Sequence, residues 1–298
     1  MGHARAWALE VEAGRLLTAK QSPPLRDVLM RYAEEVSPSR RGFKWELLRL
    51  RKWRTETWTT QGIAGVTPEV IGRWRDARLK TVSAGTVIRE LTLLGSVFEA
   101  ARREWRYIQT NPVRDVRRPP APQDRRRRVS DAEIDLLIHS LDYARGDKPV
   151  TTTQRVGAMV LFAVETGMRS GELCRIRWTD CHGDYITLPA SMTKTARSRD
   201  VPLTPAAKAL LKLLPHDDET IFNVSDASRD ALFRKGRDRS GIEGLHFHDL
   251  RAEAVWRLSR KLPLLALARA IGHSDIASLG MYYQTTGQEL AAMLEDKP

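Results

Sequence analysis

Along the first hundred residues the apolar positions recur at intervals of three and four, the period of a helix with one buried face. Residues 4–20 carry Trp7, Leu9, Val11, Leu16 and Leu17 and predict one amphipathic helix. Pro23-Pro24 ends it, because proline has no amide donor and biases its predecessor away from helix. Leu25, Val28, Leu29 and Tyr32 predict a helix over 25–36, and Phe43, Leu47, Leu50 and Trp53 another over 43–53. Thr67-Pro68-Glu69 opens the next with an N-cap, a proline in the first position and an acid in the first turn. Ser83 likewise caps a helix running to about Trp105, before Asn111-Pro112 breaks the pattern.

The second half is patterned differently. Ser130-Asp-Ala-Glu133 is a capping box ahead of residues 134–141. Residues 156–164 are almost all apolar, as befits a helix buried on every side. Residues 184–188 and 199–203 have strand character and flank 189–198, which reads as a hairpin with a long polar tip. Thr204 starts a helix through Leu214, and from His248 onward short helical patterns are broken at Pro263, Gly272 and Gly287. The predicted fold is mainly α: a helical domain, then an α+β domain with a small antiparallel sheet. Residues 1–22 form an N-terminal helix, 23–116 the helical domain, 117–128 a linker and 129–298 the second domain.

Charge sharpens this division. The chain carries a net +12 over 298 residues, yet residues 1–128 hold 27 Lys and Arg against 14 Asp and Glu, leaving the remainder balanced. A basic front half suits a polyanion, since cations along a duplex gain affinity by releasing counterions. The linker RRPPAPQDRRRR is extended by proline and rich in arginine, so Arg117, Arg118, Arg125, Arg126, Arg127 and Arg128 are candidate phosphate contacts. A solvated hinge is the plainer alternative. Two cysteines, Cys174 and Cys181, are too few for a disulfide framework, and with His182 they lack a fourth metal ligand. No apolar run is long enough to span a bilayer and no signal peptide is evident, so a cytoplasmic or nucleoid location is expected. The tryptophans read as core or interface packing.

Three separated segments present cationic or hydrogen-bonding groups at helix ends. In Thr166-Gly-Met-Arg169-Ser-Gly-Glu172, a glycine ends the apolar helix and an arginine follows, able to turn its fork inward on two phosphate oxygens. In His248-Asp-Leu-Arg251, a spacing of three puts both side chains on one helix face. Ile271-Gly-His273 is followed nine residues later by Tyr282. Taken singly, each has a bland reading: a surface arginine, a solvated helix start, a capping histidine, a core tyrosine.

Taken in order, Arg169, His248-x-x-Arg251, Gly272-His273 and Tyr282 resemble the tyrosine recombinase, or phage integrase, family, as do Glu172, the Thr193-Lys194-Thr195 tip and Arg199-Asp-Val-Pro202-Leu203. The resemblance covers roughly residues 25–298, by motif in the second half and by pattern in the first. It implies a core-type DNA-binding domain over 23–116 and a catalytic domain over 129–298, forming a C-shaped clamp around double-stranded DNA at attachment or core sites, with four protomers in a synaptic complex. Tyr282 would be the nucleophile forming a 3′-phosphotyrosine, and Arg169 and Arg251 would hold the non-bridging oxygens. His248 and His273 would assist proton transfer, Lys194 would protonate the leaving 5′-oxygen, and Glu172 would orient its neighbours. Neither metal nor other cofactor is implied.

Tyr283 remains a rival to Tyr282, Arg197 and Arg199 are rivals to Lys194, and His246 is a decoy for His248. Residues 4–20 resemble only the last helix of an arm-binding module, whose preceding strands have no counterpart, so arm-site binding is in doubt. Residues 287–295 would dock on a neighbouring protomer or pack in cis. The activity implied is that of a phage or prophage-type integrase. The alternatives are a chromosome-dimer or plasmid resolvase, a type IB topoisomerase, or a catalytically silent DNA-binding regulator on the same fold.

Overall fold

The computed structural model describes residues 22–122, 125, 127–193, 197–273 and 275–283. The helix expected over 4–20 and the docking segment 287–295 lie outside the described residues, as do Arg126 and Lys194. The chain divides into two units, the second starting at Arg125. That division falls inside the stretch 117–128.

In the first unit the helical patterns become α1 (Leu25–Glu35), α2 (Phe43–Arg54), α3 (Pro68–Leu79) and α4 (Ala84–Arg103). Helix α1 buries all four residues that its spacing selects, Leu25, Val28, Leu29 and Tyr32; α2 buries Leu50 and Trp53 but leaves Phe43 and Leu47 half-buried; and α4 buries Val87, Leu91, Leu94 and Phe98. Trp53 is fully buried, with edge-to-face contact to Trp74 at 5.6 Å and to Trp58 at 6.5 Å, so these tryptophans are core. Two caps differ in detail from the expectation. Ser83 and Thr67 stand at the N-cap positions of α4 and α3 but make no cap bond. The Ser83 hydroxyl meets that of Thr86 at 3.1 Å, and the Thr67 side chain bonds Glu69.

The second unit opens with α5 (Asp131–Ser140), whose Ser130–Glu133 capping box is present as read from the sequence. Helix α6 (Thr152–Thr166) begins earlier than its apolar run, because Thr151 and Gln154 form a second capping box. Nearly all of α6 is buried, so it is the axis of this unit's core. Gly167 ends it in the left-handed conformation, φ 64°. After the one-turn α7 (Ser170–Leu173), β1 (Tyr185–Leu188) pairs antiparallel with β2 (Arg199–Pro202), Ile186 facing Val201. Ile186 and Leu188 point into the core, and so do Arg199 and Val201, the first of which is an unusual inward-facing cation. Helix α8 (Pro205–Leu211) is shorter than expected, with Leu213 and Leu214 in a closing turn. Then follow α9 (Asp226–Ser240), α10 (Phe247–Ser259) and α11 (Leu264–Ile271), with a 3-10 turn at Ala277–Tyr282. No described helix is long and apolar enough to cross a membrane.

Candidate active site

The site is assembled around the C-terminal end of α11, where the last carbonyls of a helix have no partner within it. Each of three arginines takes one of them. Arg199 Nε donates to Ala270 O at 3.1 Å, Arg251 Nη2 to Ile271 O at 2.8 Å, and Arg169 Nη2 to Gly272 O at 3.3 Å. Cations are favoured at this end of the helix dipole. Gly272 closes the helix at φ 66°, and a Cβ there would come within 2.9 Å of Arg199 Cδ, so both backbone conformation and space require glycine. The next residue is His273. The arginines therefore come from three distant segments and meet at one turn.

Glu172 joins two of them. It is buried, accepts from Arg199 Nη1 and Nη2 at 3.0 and 2.6 Å and from Arg169 Nη1 at 3.0 Å, and caps α7 by accepting the Arg169 amide at 2.8 Å. Burial works to raise its pKa, but the bonds and charge of Arg199, then those of Arg169, outweigh it and hold the carboxyl below its ordinary range. Arg251, on α10, is also buried and donates through Nη1 to Gly167 O, the residue that ends α6. Burial and then the neighbouring Arg169 push its pKa down to about 9, which leaves it protonated at neutral pH. Its charge and that of Tyr282 act on each other.

The histidines line the same cluster. Arg251 Nη2 lies 3.5 Å from His273 Nδ1. Desolvation, then Arg251 and Arg169, lower the His273 pKa. His248 is exposed on its outer side, but desolvation on its protein side and the charge of Arg251 lower it also. Both imidazoles are thus disposed to be neutral at pH 7, able to accept a proton as well as donate one. His246 has a different place: it is the N-cap of α10, its amide donating to Asp249 Oδ2 at 2.7 Å. The two tyrosines also separate. Half-buried Tyr282 packs on a cluster formed by Val255, Leu258, Leu267 and Ile271 within electrostatic reach of Arg251. The Tyr283 hydroxyl donates to Leu262 O at 2.6 Å, and burial raises its pKa.

At the base of the hairpin tip, Thr193 Oγ1 accepts the Arg197 amide at 3.1 Å and donates to Arg197 O at 2.8 Å. Arg199 is buried against Glu172, out of the running as a proton donor to substrate, while Arg197 is exposed.

Four of the described linker arginines have side-chain partners within the protein. Arg125 pairs with Asp249, Arg127 with Glu133 and Arg128 with Glu253. Arg118 donates to Thr92 Oγ1 at 3.0 Å, and Arg117 is exposed with its carbonyl accepting from Arg75 at 2.6 Å. Arg199, Asp249 and Glu253 were not singled out from sequence in these roles. Arg199 alone gave a signal, as a charged residue at a core-facing position of a strand. Among the described residues no group of three His, Cys, Asp or Glu side chains is placed to hold a metal ion.

Residues 127–289 match the phage integrase family. A Haemophilus influenzae protein bearing the name integrase/recombinase is 35% identical over 296 residues, covering 97% of this chain and 97% of its own. The shufflon-specific DNA recombinase of Escherichia coli is 31% identical over 286 residues, covering 91% of this chain and 71% of its own. In fold, the chain resembles lambda integrase, crystallised as a dimer bound to a COC′ core site, with TM-score 0.75 at 19% identity over 93% of this chain and 82% of that one. With a family match over residues 127–289 and relatives above 30% identity along nearly the whole sequence, the chain belongs to the phage integrase family of tyrosine recombinases.

Proposed function

We propose that Tyr282 is the nucleophile of this site-specific DNA recombinase, with Arg169 and Arg251 gripping the scissile phosphate and His248 and His273 beside it. The observation that carries the reading is the convergence of Arg169, Arg251 and His273 on the end of α11, with Tyr282 in electrostatic contact with Arg251. The Tyr282 oxygen attacks phosphorus, the P–O5′ bond breaks, and a 3′-phosphotyrosine and a 5′-hydroxyl result. The proton of Tyr282 passes to a neutral histidine, and the departing 5′-oxygen takes one from Lys194. The two guanidiniums stabilise the charge that develops on the non-bridging oxygens, and the phosphotyrosine keeps the bond energy for rejoining. Glu172 orients Arg169 and Arg199 without touching substrate.

The finer reading is a phage or other mobile-element integrase, with residues 23–116 binding core-type sites and four protomers acting on two duplexes. It is supported by a fold shared with a lambda integrase tetramer bound to a Holliday junction (TM-score 0.73, 19% identity). Covalent capture on a pool of nicked duplexes of random sequence, with EDTA present, tests the chemistry. Detergent-resistant adducts are expected from the wild type and Tyr283→Phe and none from Tyr282→Phe. Adducts that persist in Tyr282→Phe would reject the assignment.

A further inference from the structure

Helix α10 is engaged on two faces. His248 and Arg251 share one, three residues apart. Asp249, Glu253 and Trp256, at spacings of four and three, share another. Onto this second face folds the segment that opens the second unit. Arg125 donates to both Asp249 oxygens at 2.6 and 2.7 Å. Arg128 donates to both Glu253 oxygens at 2.7 and 3.1 Å, its guanidinium 3.3 Å from the centre of the Trp256 ring. The Val129 amide adds a bond to Glu253 at 3.2 Å, and Arg257 another at 3.0 Å. Both carboxylates are nearly sealed, with side chains 5% and 2% exposed, whereas the arginines reach them from the surface at 44% and 50%. Asp249 is also the acceptor that closes the first turn of α10, the turn containing His248.

Arginines engaged in this way are poorly placed to serve phosphates. If Arg125 moved to DNA, buried Asp249 would lose the guanidinium it pairs with, and if Arg128 moved, buried Glu253 would keep Arg257 alone; stripping a buried carboxylate of such a partner costs more than an exposed ion pair returns. Arg127 is different: it pairs with Glu133 on α5, away from this helix.

We propose that Arg125 and Arg128 are positioning residues which, through Asp249 and Glu253, latch the interdomain segment to α10 and so orient His248 and Arg251 at the scissile phosphate. This rests on His248 and Arg251 acting at that phosphate. The sequence reads the same two arginines as DNA contacts, so the two roles can be set against each other.

The probe is the set of duplexes that the wild type captures covalently from the random nicked pool. On these, DNA affinity and the single-turnover cleavage rate constant at saturating protein are measured for Arg125→Ala, Arg128→Ala, Arg128→Lys and Glu253→Gln. A rate constant per bound complex does not depend on the fraction of protein folded. A latch predicts cleavage slowed on the order of tenfold to a hundredfold, as a misplaced catalytic group would give. It also predicts affinity within about twofold of wild type, Glu253→Gln behaving like Arg128→Ala, and partial recovery in Arg128→Lys. Phosphate contacts predict weakened binding with a salt slope shallower by about one per arginine, unchanged cleavage and a silent Glu253→Gln; that pattern overturns the proposal. If the wild type captures no DNA, the recombinase reading itself fails. Amide exchange over 247–251 then decides the latch: faster exchange in Arg125→Ala/Arg128→Ala upholds it, and unchanged exchange rejects it.

Discussion

Glu90 in the first unit and Glu172 in the second are both buried glutamates, each gripped by two arginines, and the clusters around them are built differently. Glu90 accepts from Arg49 at 2.9 Å and from Arg78 at 3.0 and 3.1 Å, tying α2 and α3 to α4. Both arginines there have Glu90 as their carboxylate, and the result is a brace between helices. Around Glu172 a third guanidinium, Arg251, is added, and its hydrogen bonds run to backbone carbonyls. Carbonyls fix a cation in place without neutralising it. The second cluster therefore keeps an excess of fixed positive charge beside two histidines, which is what a phosphate gaining negative charge in a transition state requires.

Replacing Arg251 tests this difference most severely. Arg251→Ala removes a buried cation that spans the ends of α6 and α11, and a drop in single-turnover cleavage of at least about a hundredfold to a thousandfold is expected, the cost of one preorganised donor. Arg251→Lys should recover little, because an ammonium group cannot reach Gly167 O and Ile271 O as a rigid fork does. Near-wild-type cleavage by Arg251→Lys would mean that only the charge matters.

Much of this was legible in the sequence, for identifiable reasons. The spacing of Leu25, Val28, Leu29 and Tyr32, or the capping box at Ser130, is local information, and local rules recover it. Helix α9 escaped because only Arg229, Phe233 and Gly236 of its fifteen residues are buried, too few to make a stripe. It packs closely through Gly236, where a Cβ would meet Leu141 at 2.7 Å. The site residues were recognisable by their order along the chain. Their mutual geometry was not, since the end of α11 gathers Arg169, Arg199 and Arg251 from segments far apart in sequence. The linker shows the limit most clearly: a run of arginines reads as affinity for phosphate, and nothing local in the sequence announces that the buried carboxylates of Asp249 and Glu253 pair with Arg125 and Arg128.

The paired glutamates give a second, intermediate test. Glu172→Gln and Glu90→Gln each remove a buried carboxylate's charge from arginines that are half-buried or, for Arg199, buried, and breaking a buried pair costs on the order of 3–5 kcal/mol. Thermal or denaturant unfolding should show comparable losses for the two. Cleavage per folded molecule should then separate them: Glu172→Gln frees Arg169 and Arg199 and slows the reaction, while Glu90→Gln leaves it as in the wild type. Equal slowing in both would mean that Glu172 is only a brace, as Glu90 is.

The smallest effect expected lies in pH, and it comes from the histidines of the second cluster alone. Desolvation and the charge of Arg251 lower both His248 and His273 from their ordinary value of 6.5. A histidine whose folded-state pKa lies below its unfolded one stabilises the fold above the unfolded value, and that stability is lost as pH falls through the window between the two. Cleavage and stability should therefore be level from pH 8 to 7 and decline only below about 6.5. In the unfolding free energy, His248→Gln and His273→Gln should each flatten part of that acid limb. For His248, whose outer side is open to water, the change should be slight, because solvent screens the Arg251 charge there. For half-buried His273, beside Arg251 and following the end of α11, it should be the larger of the two. A stability that instead rises as pH falls from 7 to 6 would show the histidines to be charged in the folded protein. Tyr282 would then have to lose its proton to some other group.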